Sequence, residues 1–190
     1  MGLACRGAYP SQQTRQLQLI SSTPSKALSE AGAKTAMYTN DAMVSGTPTA
    51  LASSDNSDVF AVTTGHPNMT GDIGDTVNGF KKKFNDDYYY FTTYDGLKLL
   101  GQAMANAQST NPVAVAAALE GLSIKSYSGE ITMRKSDHQL QQAIFITRWQ
   151  KADKKNAYSV ENTGYTFAPV KRIEAYQAST PTICKMKRPS

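Results

Sequence analysis

The sequence has no long apolar stretch. No run among its 190 residues approaches the ~18 apolar residues that a membrane-spanning helix needs, so we expect a soluble chain. Residues 1–10 have neither a basic head nor an apolar core of about 7 residues, and they do not resemble a signal peptide. If the chain is expressed as given, we therefore expect it in the cytoplasm.

Residues that commonly carry chemistry are also scarce. Cys5 and Cys184 lie near opposite ends, and spacing alone does not show whether they pair. His66 and His138 are too far apart for ligand spacing, so we expect no metal site. The nucleophile motif Gly-x-Ser-x-Gly, the phosphate-binding motif Gly-x-x-x-x-Gly-Lys and the zinc motif His-Glu-x-x-His are all missing. We expect no catalytic residue, no enzyme activity and no cofactor.

The excess of basic residues is small and dispersed. The formal net charge is +5, and one of only two local clusters is Lys81-Lys82-Lys83. It falls on a predicted helix whose apolar positions are Val77, Phe80 and Phe84, so we expect the lysines to cover the solvated side. Nucleic-acid binding needs a continuous basic face with stacking aromatics or a reading helix, and we expect no nucleic-acid partner.

Helix and strand signals alternate along the chain. With 40% hydrophobic and 18% charged residues, the composition is that of a globular protein. The predicted helices are residues 24–31, 47–52, 75–84, 93–107 and 112–120, and the predicted strands are residues 34–39, 58–64, 130–134, 143–149 and 165–170. Interleaved helices and strands of this length indicate an α/β sandwich with a largely parallel sheet.

Two adjacent helices have the clearest local signals. The apolar side of the helix at residues 93–107 is predicted to consist of Leu97, Leu100, Met104 and Ala107. Asn111-Pro112 has the form of a helix cap followed by proline at the first turn, and Gly121 is placed to end that helix. Val115 and Leu119 are predicted to face its core.

Residues 89–148 resemble a known family. The segments that carry the resemblance are Tyr94-Asp-Gly-Leu-Lys-Leu-Leu-Gly-Gln-Ala-Met-Ala-Asn-Ala107, Tyr127-Ser-Gly-Glu-Ile-Thr-Met-Arg-Lys-Ser-Asp-His-Gln-Leu140 and Ala143-Ile-Phe-Ile-Thr147. In this order they are similar to the C-terminal half of the Leu/Ile/Val-binding family, the periplasmic solute receptors of ABC importers. The ending Pro181-Thr-Ile-Cys-Lys-Met-Lys-Arg-Pro189 is similar to one branch of that family.

The resemblance implies a type I periplasmic-binding-protein-like fold, here an incomplete two-lobe α/β sandwich. Residues 1–21 match nothing, residues 22–85 correspond to part of the second (C-terminal) lobe, and residues 86–142 to part of the first (N-terminal) lobe. Residues 143–190 return to the second lobe and form the tail. Full receptors of this family are about twice as long, so we expect a truncated receptor.

The resemblance also implies ligand-binding residues. In the family an acidic side chain just after a second-lobe strand holds the ligand ammonium, and here Asn40 takes that place with Asp41 beside it, after Tyr38 in the strand. The alternative is that Asn40 and Asp41 serve only as turn residues. An aromatic residue before the first-lobe helix walls the ligand, and Tyr89 or Phe91 aligns there; plain strand packing is the alternative.

The expected function is that of the family. We expect the solute-binding component of an ABC importer, which captures a branched-chain or other amino acid or a small amide between two lobes and performs no chemistry. Its partner would be the ABC permease of the inner membrane, and its location would be the periplasm. The alternative is a cytoplasmic ligand-sensing or protein-interaction module that uses the same half-fold.

Overall fold

The structure is a computed structural model that describes residues 27, 30–32, 35–53, 58–183 and 186–188. These residues divide into two compact units. The first, here called the sheet unit, contains the described residues up to 89 together with residues 144–172. The second, the helix-pair unit, contains residues 90–143 and the described residues from 173 onward. The lobe boundaries inferred from the sequence stay predictions.

Helices and strands alternate along both units. In chain order they are β1 (Met37–Thr39), α1 (Thr47–Ser53), β2 (Val59–Thr63), α2 (Asp72–Phe84), α3 (Phe91–Ala107), α4 (Pro112–Leu119), β3 (Ser123–Ser126), β4 (Gly129–Met133), β5 (Leu140–Gln141), β6 (Ile144–Lys151), a 3₁₀ turn (Val160–Asn162), β7 (Tyr165–Ile173) and α5 (Ala175–Ala178). The predicted elements from residue 47 onward are confirmed to within a few residues, whereas β3 and β5 were missed. Most of the helix predicted at residues 24–31 lies outside the described residues, as do Cys5 and Cys184; of its described members, Ala31 N–H donates to the Ala27 carbonyl at 2.9 Å.

The sheet unit is built on a four-stranded sheet of order β1-β2-β6-β7. Strands β1 and β2 are parallel, with Met37 opposite Val59, and α1 forms the crossover between them. Strands β2 and β6 are antiparallel, with Phe60 opposite Arg148. The prediction of a largely parallel sheet was therefore wrong. Because β2 and β6 are separated by the whole helix-pair segment, no single helical crossover constrains their relative direction.

Aromatic and aliphatic side chains fill the core of the sheet unit. The buried members of this core cluster are Ala42, Leu51, Val59, Ala61, Trp149, Val160 and Phe167. The fully buried Trp149 ring stacks on Tyr165 with centroids 5.4 Å apart and contacts Phe167 at 4.8 Å. In β6, Trp149 points inward and the neighbouring Arg148 is exposed, as the two-residue period of a strand requires.

The helix-pair unit packs α3 and α4 together beside a three-stranded antiparallel sheet of order β3-β4-β5. The predicted ends of α4 are confirmed: the Asn111 side chain accepts hydrogen bonds from the Val113 and Ala114 amides, and Gly121 has a φ of 76°. Val115 is buried, as predicted, and Leu119 is half-buried.

The buried face of α3 differs from the predicted one. The side chains that it buries are Phe91, Asp95, Leu99 and Ala103. Leu97 and Leu100, which were predicted to face the core, are 65% and 41% exposed. Periodicity failed here because α3 carries apolar residues on two sides, while the side that is buried contains the polar Asp95.

No helix in the described part of the chain is long and apolar enough to cross a membrane. Among the same residues, no group of three or more His, Cys, Asp or Glu side chains is arranged to hold a metal ion.

Candidate functional site

Three of the four predicted ligand-binding residues lie in β1 and in the loop that follows it: Tyr38 in the strand, and Asn40 and Asp41 in the loop. Tyr38 is 61% exposed, and its ring stacks on that of Phe60, its partner on β2, at 4.8 Å. Asn40 is exposed, whereas Asp41 is half-buried and its backbone N–H donates to Thr39 Oγ1 at 3.0 Å. This bond, which the Thr39 side chain accepts, closes a turn at the end of β1.

The Asp41 carboxylate has no hydrogen-bond partner among the residues that the structure describes. The next residue, Ala42, is fully buried in the core cluster and anchors the loop to the sheet unit. A carboxylate held at a defined position with its oxygens unbonded can receive an ammonium group. The turn geometry and a ligand-binding role are thus compatible in this loop.

Tyr89, the fourth predicted residue, packs against the same core cluster. It is half-buried, and Met37 of β1 contacts that cluster as well. The Tyr89 hydroxyl donates to Glu161 Oε1 at 3.1 Å. Burial, followed by the negative charges of Glu161 and Asp87, raises the pKa of Tyr89, so the phenol stays a neutral donor.

Phe91, the alternative to Tyr89, has a different environment. It is 3% exposed in the helix-pair unit, where its ring meets Tyr127 edge-on at 5.7 Å. We therefore retain Tyr89 as the candidate for the ligand wall.

Glu161 is the centre of a hydrogen-bond network that the sequence did not reveal. Its side chain reaches across to the start of α1, where Oε1 accepts from the Gly46 amide at 2.6 Å. Oε2 accepts from the Thr49 amide at 2.9 Å and from Thr49 Oγ1 at 2.6 Å. The carboxylate thus caps a helix that is more than 100 positions away in the chain, where it also meets the favourable end of the helix dipole.

Asp87 forms the second centre of this network. Its carboxylate accepts from Lys81 Nζ at 2.9 Å, from the Tyr158 hydroxyl at 2.6 Å and from the Glu161 backbone amide. Lys81 also donates to the Ser159 carbonyl at 2.6 Å. Burial, and then the hydrogen bond to Asp87, raises the pKa of Tyr158, which likewise remains protonated.

The surroundings of Lys81 correct the sequence analysis in two respects. Lys81 is not a solvated surface lysine, since it pairs with the buried Asp87; Lys82 and Lys83 are exposed as predicted. On the same helix, Val77 is buried, but Phe84, which was assigned to the apolar face, is 56% exposed.

An open cleft of about 290 Å³ lies beside this network, and its lining includes Thr49, Lys81, Asp87 and Glu161. Each carboxylate already accepts three or more hydrogen bonds. The arrangement consequently works as a scaffold that fixes Tyr89, α1 and the 3₁₀ turn relative to one another.

The two histidines lie in different environments. His66 is 6% exposed and meets the Phe145 ring edge-on at 5.2 Å. Burial lowers the pKa of His66 to about 4, so it is a neutral core residue at physiological pH. His138 lies in a turn with a φ of 55°, and its Nε2 is 3.8 Å from Glu120 Oε1.

Comparison with known proteins agrees with the resemblance seen in the sequence. The family described as "Periplasmic binding protein" matches residues 23–155. The "Leu/Ile/Val-binding protein homolog 4" of Brucella abortus (strain 2308) is 32% identical over 100 residues, which cover 50% of this chain and 23% of that protein.

Solved structures extend the comparison to the fold. The leucine-, isoleucine-, valine-, threonine- and alanine-binding protein from Brucella ovis, in its closed conformation, matches with a TM-score of 0.76 at 25% identity. The match covers 93% of this chain and 45% of that one. An amino acid ABC transporter substrate-binding protein from Pseudomonas fluorescens Pf-5 shares the fold, with a TM-score of 0.61 at 16% identity over 85% of this chain and 42% of that chain.

These matches confirm the predicted fold class, a type I periplasmic-binding-protein-like α/β fold. The aligned region covers 23% of the length of the curated relative. This chain covers 45% and 42% of the lengths of the two solved structures.

Proposed function

Because the chain belongs to the periplasmic binding protein family, we propose that it serves in the solute-binding component of an ABC importer for branched-chain or other amino acids or related amides. The observation that supports this most is the match of 93% of the chain to a Brucella ovis protein named for binding leucine, isoleucine, valine, threonine and alanine. The family consists of binding proteins rather than enzymes. The periplasm is the proposed location, and the inner-membrane ABC permease is the proposed partner.

Within this role, Asp41 is proposed to meet the ammonium group of the ligand. Its support is the carboxylate beside Ala42, which makes no hydrogen bond to any described residue. Asn40 contributes a neutral dipole, and the exposed Tyr38 ring lies on β1, two residues before Asn40. A buried ammonium needs a negatively charged partner, because an unpaired buried charge is far more costly than an unpaired neutral group.

Tyr89 is proposed to wall the ligand side chain with its ring rather than with its hydroxyl. The hydroxyl already donates to Glu161, which fixes the ring at the core cluster. The ring edge that remains accessible offers apolar surface, and contact with it favours a large apolar side chain over a small one.

The first test is calorimetry on the chain as it stands. The chain covers 45% of the Brucella ovis protein. In the proposed receptor, the part outside the match holds the carboxylate of the amino acid, and Asp41 meets the ammonium group. Losing even three hydrogen bonds to a charged group, at ~1.5 kcal/mol each, weakens binding by roughly a thousandfold. For an intact receptor that binds at about micromolar, this loss gives a dissociation constant of about millimolar. We therefore expect no binding of leucine, isoleucine or valine to this chain tighter than about millimolar. Micromolar binding by the chain alone would refute the proposal that the unmatched part supplies binding groups.

The second test uses a chimera in which the unmatched portion of the Brucella ovis protein precedes this chain. We expect Asp41→Ala to weaken leucine binding by roughly 10- to 100-fold, the effect of a lost charged hydrogen bond, and Asn40→Ala by roughly 2- to 10-fold. Asn40→Asp, which supplies the family's carboxylate, is expected to tighten binding.

Two replacements of Tyr89 separate its ring from its hydroxyl. In the chimera, Tyr89→Phe keeps the apolar ring and is expected to bind leucine nearly as well as the parent. Tyr89→Ala is expected to weaken leucine binding more than alanine binding. Tyr176→Ala is the control, because Tyr176 is 77% exposed on α5. Affinities that equal the control for both Asp41→Ala and Tyr89→Ala would remove these residues from the site.

A further inference from the structure

Strand β3 is an end strand of the small sheet in the helix-pair unit, so β4 uses only one of its two edges. The register shows which backbone groups point to the other edge. Met133 N–H donates to the carbonyl of Leu122, the residue before β3, at 2.9 Å, so Leu122 is a hydrogen-bonded position of the antiparallel ladder. Because bonded and non-bonded positions alternate, Ser123 and Lys125 turn their N–H and carbonyl groups away from β4.

Two contacts support this assignment. Ser123 Oγ lies 2.6 Å from Thr132 Oγ1 on β4, and side chains come closest at the non-bonded positions of an antiparallel pair. The outward carbonyl of Lys125 accepts a hydrogen bond from Lys98 Nζ of α3 at 3.4 Å. This distance is long for an N–H···O bond, so a better placed donor can replace the lysine.

An open groove of about 470 Å³ lies along this edge of β3. One wall is the strand edge at residues 122–125, and the other consists of Lys98, Gln102 and Asn106 of α3. These three side chains recur every four residues and therefore form one stripe of the helix. Gln102 Nε2 donates to Asn106 Oδ1 at 2.9 Å. The edge groove, as we call it, thus places outward backbone groups of a strand opposite a polar helix wall.

The edge groove is positively charged. Lys98 and Lys125 are the charged residues among the described residues that line it. The neighbouring carboxylates lie elsewhere: Glu130 is opposite Lys125 on β4, and the buried Asp95 accepts a hydrogen bond from Ser126. A lysine on an edge strand disfavours pairing with a second copy of the same edge, because like charges meet, and it favours an acidic partner.

We propose that the edge groove binds an extended, acidic segment of another polypeptide, which adds a strand beside β3. The backbone of this segment exchanges hydrogen bonds with Ser123 and Lys125, in the way that peptides extend an exposed sheet edge. Its carboxylates pair with Lys125 and with the Lys98 ammonium, which leaves the Lys125 carbonyl when the added strand donates to it. These residues are separate from those of the proposed solute site, and the inference does not rest on that function.

The probe is the fluorescein-labelled peptide Val-Glu-Val-Glu-Val-Glu-amide, titrated with the full chain and followed by fluorescence anisotropy. We expect saturable binding that weakens as salt rises, and we expect a peptide with lysine in place of glutamate to bind at least about tenfold more weakly. Two further peptides carry N-methyl groups on all valine amides or on all glutamate amides. Since an added strand bonds β3 through alternate residues, we expect one of them to lose at least about tenfold in affinity and the other to bind like the parent peptide.

Variants of the chain test the same contacts from the other side. Ser123→Pro removes one outward N–H and keeps the bonds between β3 and β4, because proline is tolerated where the N–H of an edge strand faces outward. We expect it to weaken binding about 3- to 10-fold, and Lys125→Gln to weaken it about 2- to 5-fold. Lys82→Gln removes the same charge from an exposed position on α2 and is the control.

Circular dichroism shows whether Ser123→Pro keeps the fold of the parent; if it does not, the methylated peptides decide on the unchanged chain. The absence of saturable binding would overturn the proposal, as would equal binding of the two methylated peptides or of the acidic and lysine peptides. A folded Ser123→Pro variant that binds like Lys82→Gln would also overturn it. A dimer of this chain that Ser123→Pro dissociates would do the same, since the occupant would then be a second copy.

Discussion

Replacing Glu161 by glutamine tests the network that holds the sheet unit together. The carboxylate accepts hydrogen bonds from two backbone amides, those of Gly46 and Thr49, on different oxygens. It also accepts from the hydroxyls of Thr49 and Tyr89. A glutamine offers one oxygen and one NH₂ group. The hydroxyls can rotate to accept from that group, but a backbone amide cannot. One of the two amides is therefore left facing a donor.

The cost of Glu161→Gln can be worked from these contacts. Losing one hydrogen bond to a charged group costs ~1.5–3 kcal/mol, and losing the negative charge at the start of α1 costs ~0.3–1 kcal/mol. We expect a loss of about 2–4 kcal/mol, a large part of the ~5–15 kcal/mol that stabilises a typical domain.

The backbone of Glu161 allows a second comparison, because its φ is 48°. An L-residue in this left-handed region is strained by roughly 1–2 kcal/mol, and glycine is not. Glu161→Gly is therefore expected to be more stable than Glu161→Ala by about 1 kcal/mol, although both lose the same hydrogen bonds.

Urea unfolding followed by tryptophan fluorescence measures these changes. Trp149 is the only tryptophan, and it lies in the core cluster with Val160, the residue before Glu161. The free energy of unfolding falls by ~1–3 kcal/mol per M urea, so the expected loss for Glu161→Gln lowers the urea midpoint by about 1–2 M. Glu130→Gln, an exposed carboxylate on β4, is the control. If the midpoint of Glu161→Gln shifts no more than that of the control, the capping argument is wrong.

Three further predictions concern single side chains. Lys81→Met leaves the buried Asp87 without its cation and is expected to cost about 2–4 kcal/mol in the same fluorescence assay, with Asp87→Asn recovering part of the loss in the double variant. Asn111→Ala removes the cap of α4 and is expected to cost ~1 kcal/mol in thermal unfolding followed by circular dichroism; Asn111→Asp should match the parent. Burial raises the pKa of Asp95 against the opposing bond from Ser126, so the folded state holds the proton more tightly than the unfolded state, and stability falls as pH rises through the interval between the two pKa values. Asp95→Asn is accordingly expected to melt higher than the parent at pH 7 and to lose that advantage near pH 3; a constant difference across pH would contradict this.

Features that depend on neighbouring residues could be predicted from the sequence. The Asn111 cap and the Gly121 stop follow from chemistry within a few positions, and both are confirmed. The strand centred on Ala61 and the helix that begins at Thr47 have equally local signals. Family resemblance added the fold class, because it carries tertiary information that local patterns do not contain.

Features that depend on distant residues could not be predicted in this way. The direction of β6 against β2 is decided by pairing across more than 80 positions. The buried side of α3 is decided by the hairpin that packs on it, and the sequence contains two apolar stripes from which to choose. Lys81 has the sequence context of a surface lysine, and only the fold brings Asp87 and Ser159 within its reach.

Tyr89 shows how the two interpretations of one residue can both hold. The sequence left open whether this tyrosine walls a ligand or simply packs in a strand. The structure shows a ring that packs on the core cluster and a hydroxyl that is fixed by Glu161. Packing of this kind restricts the ring to one orientation, and a fixed, half-buried ring loses little conformational entropy when a ligand side chain contacts it. The contact with Glu161 therefore supports the proposed role of Tyr89 by holding its ring in place before any ligand arrives.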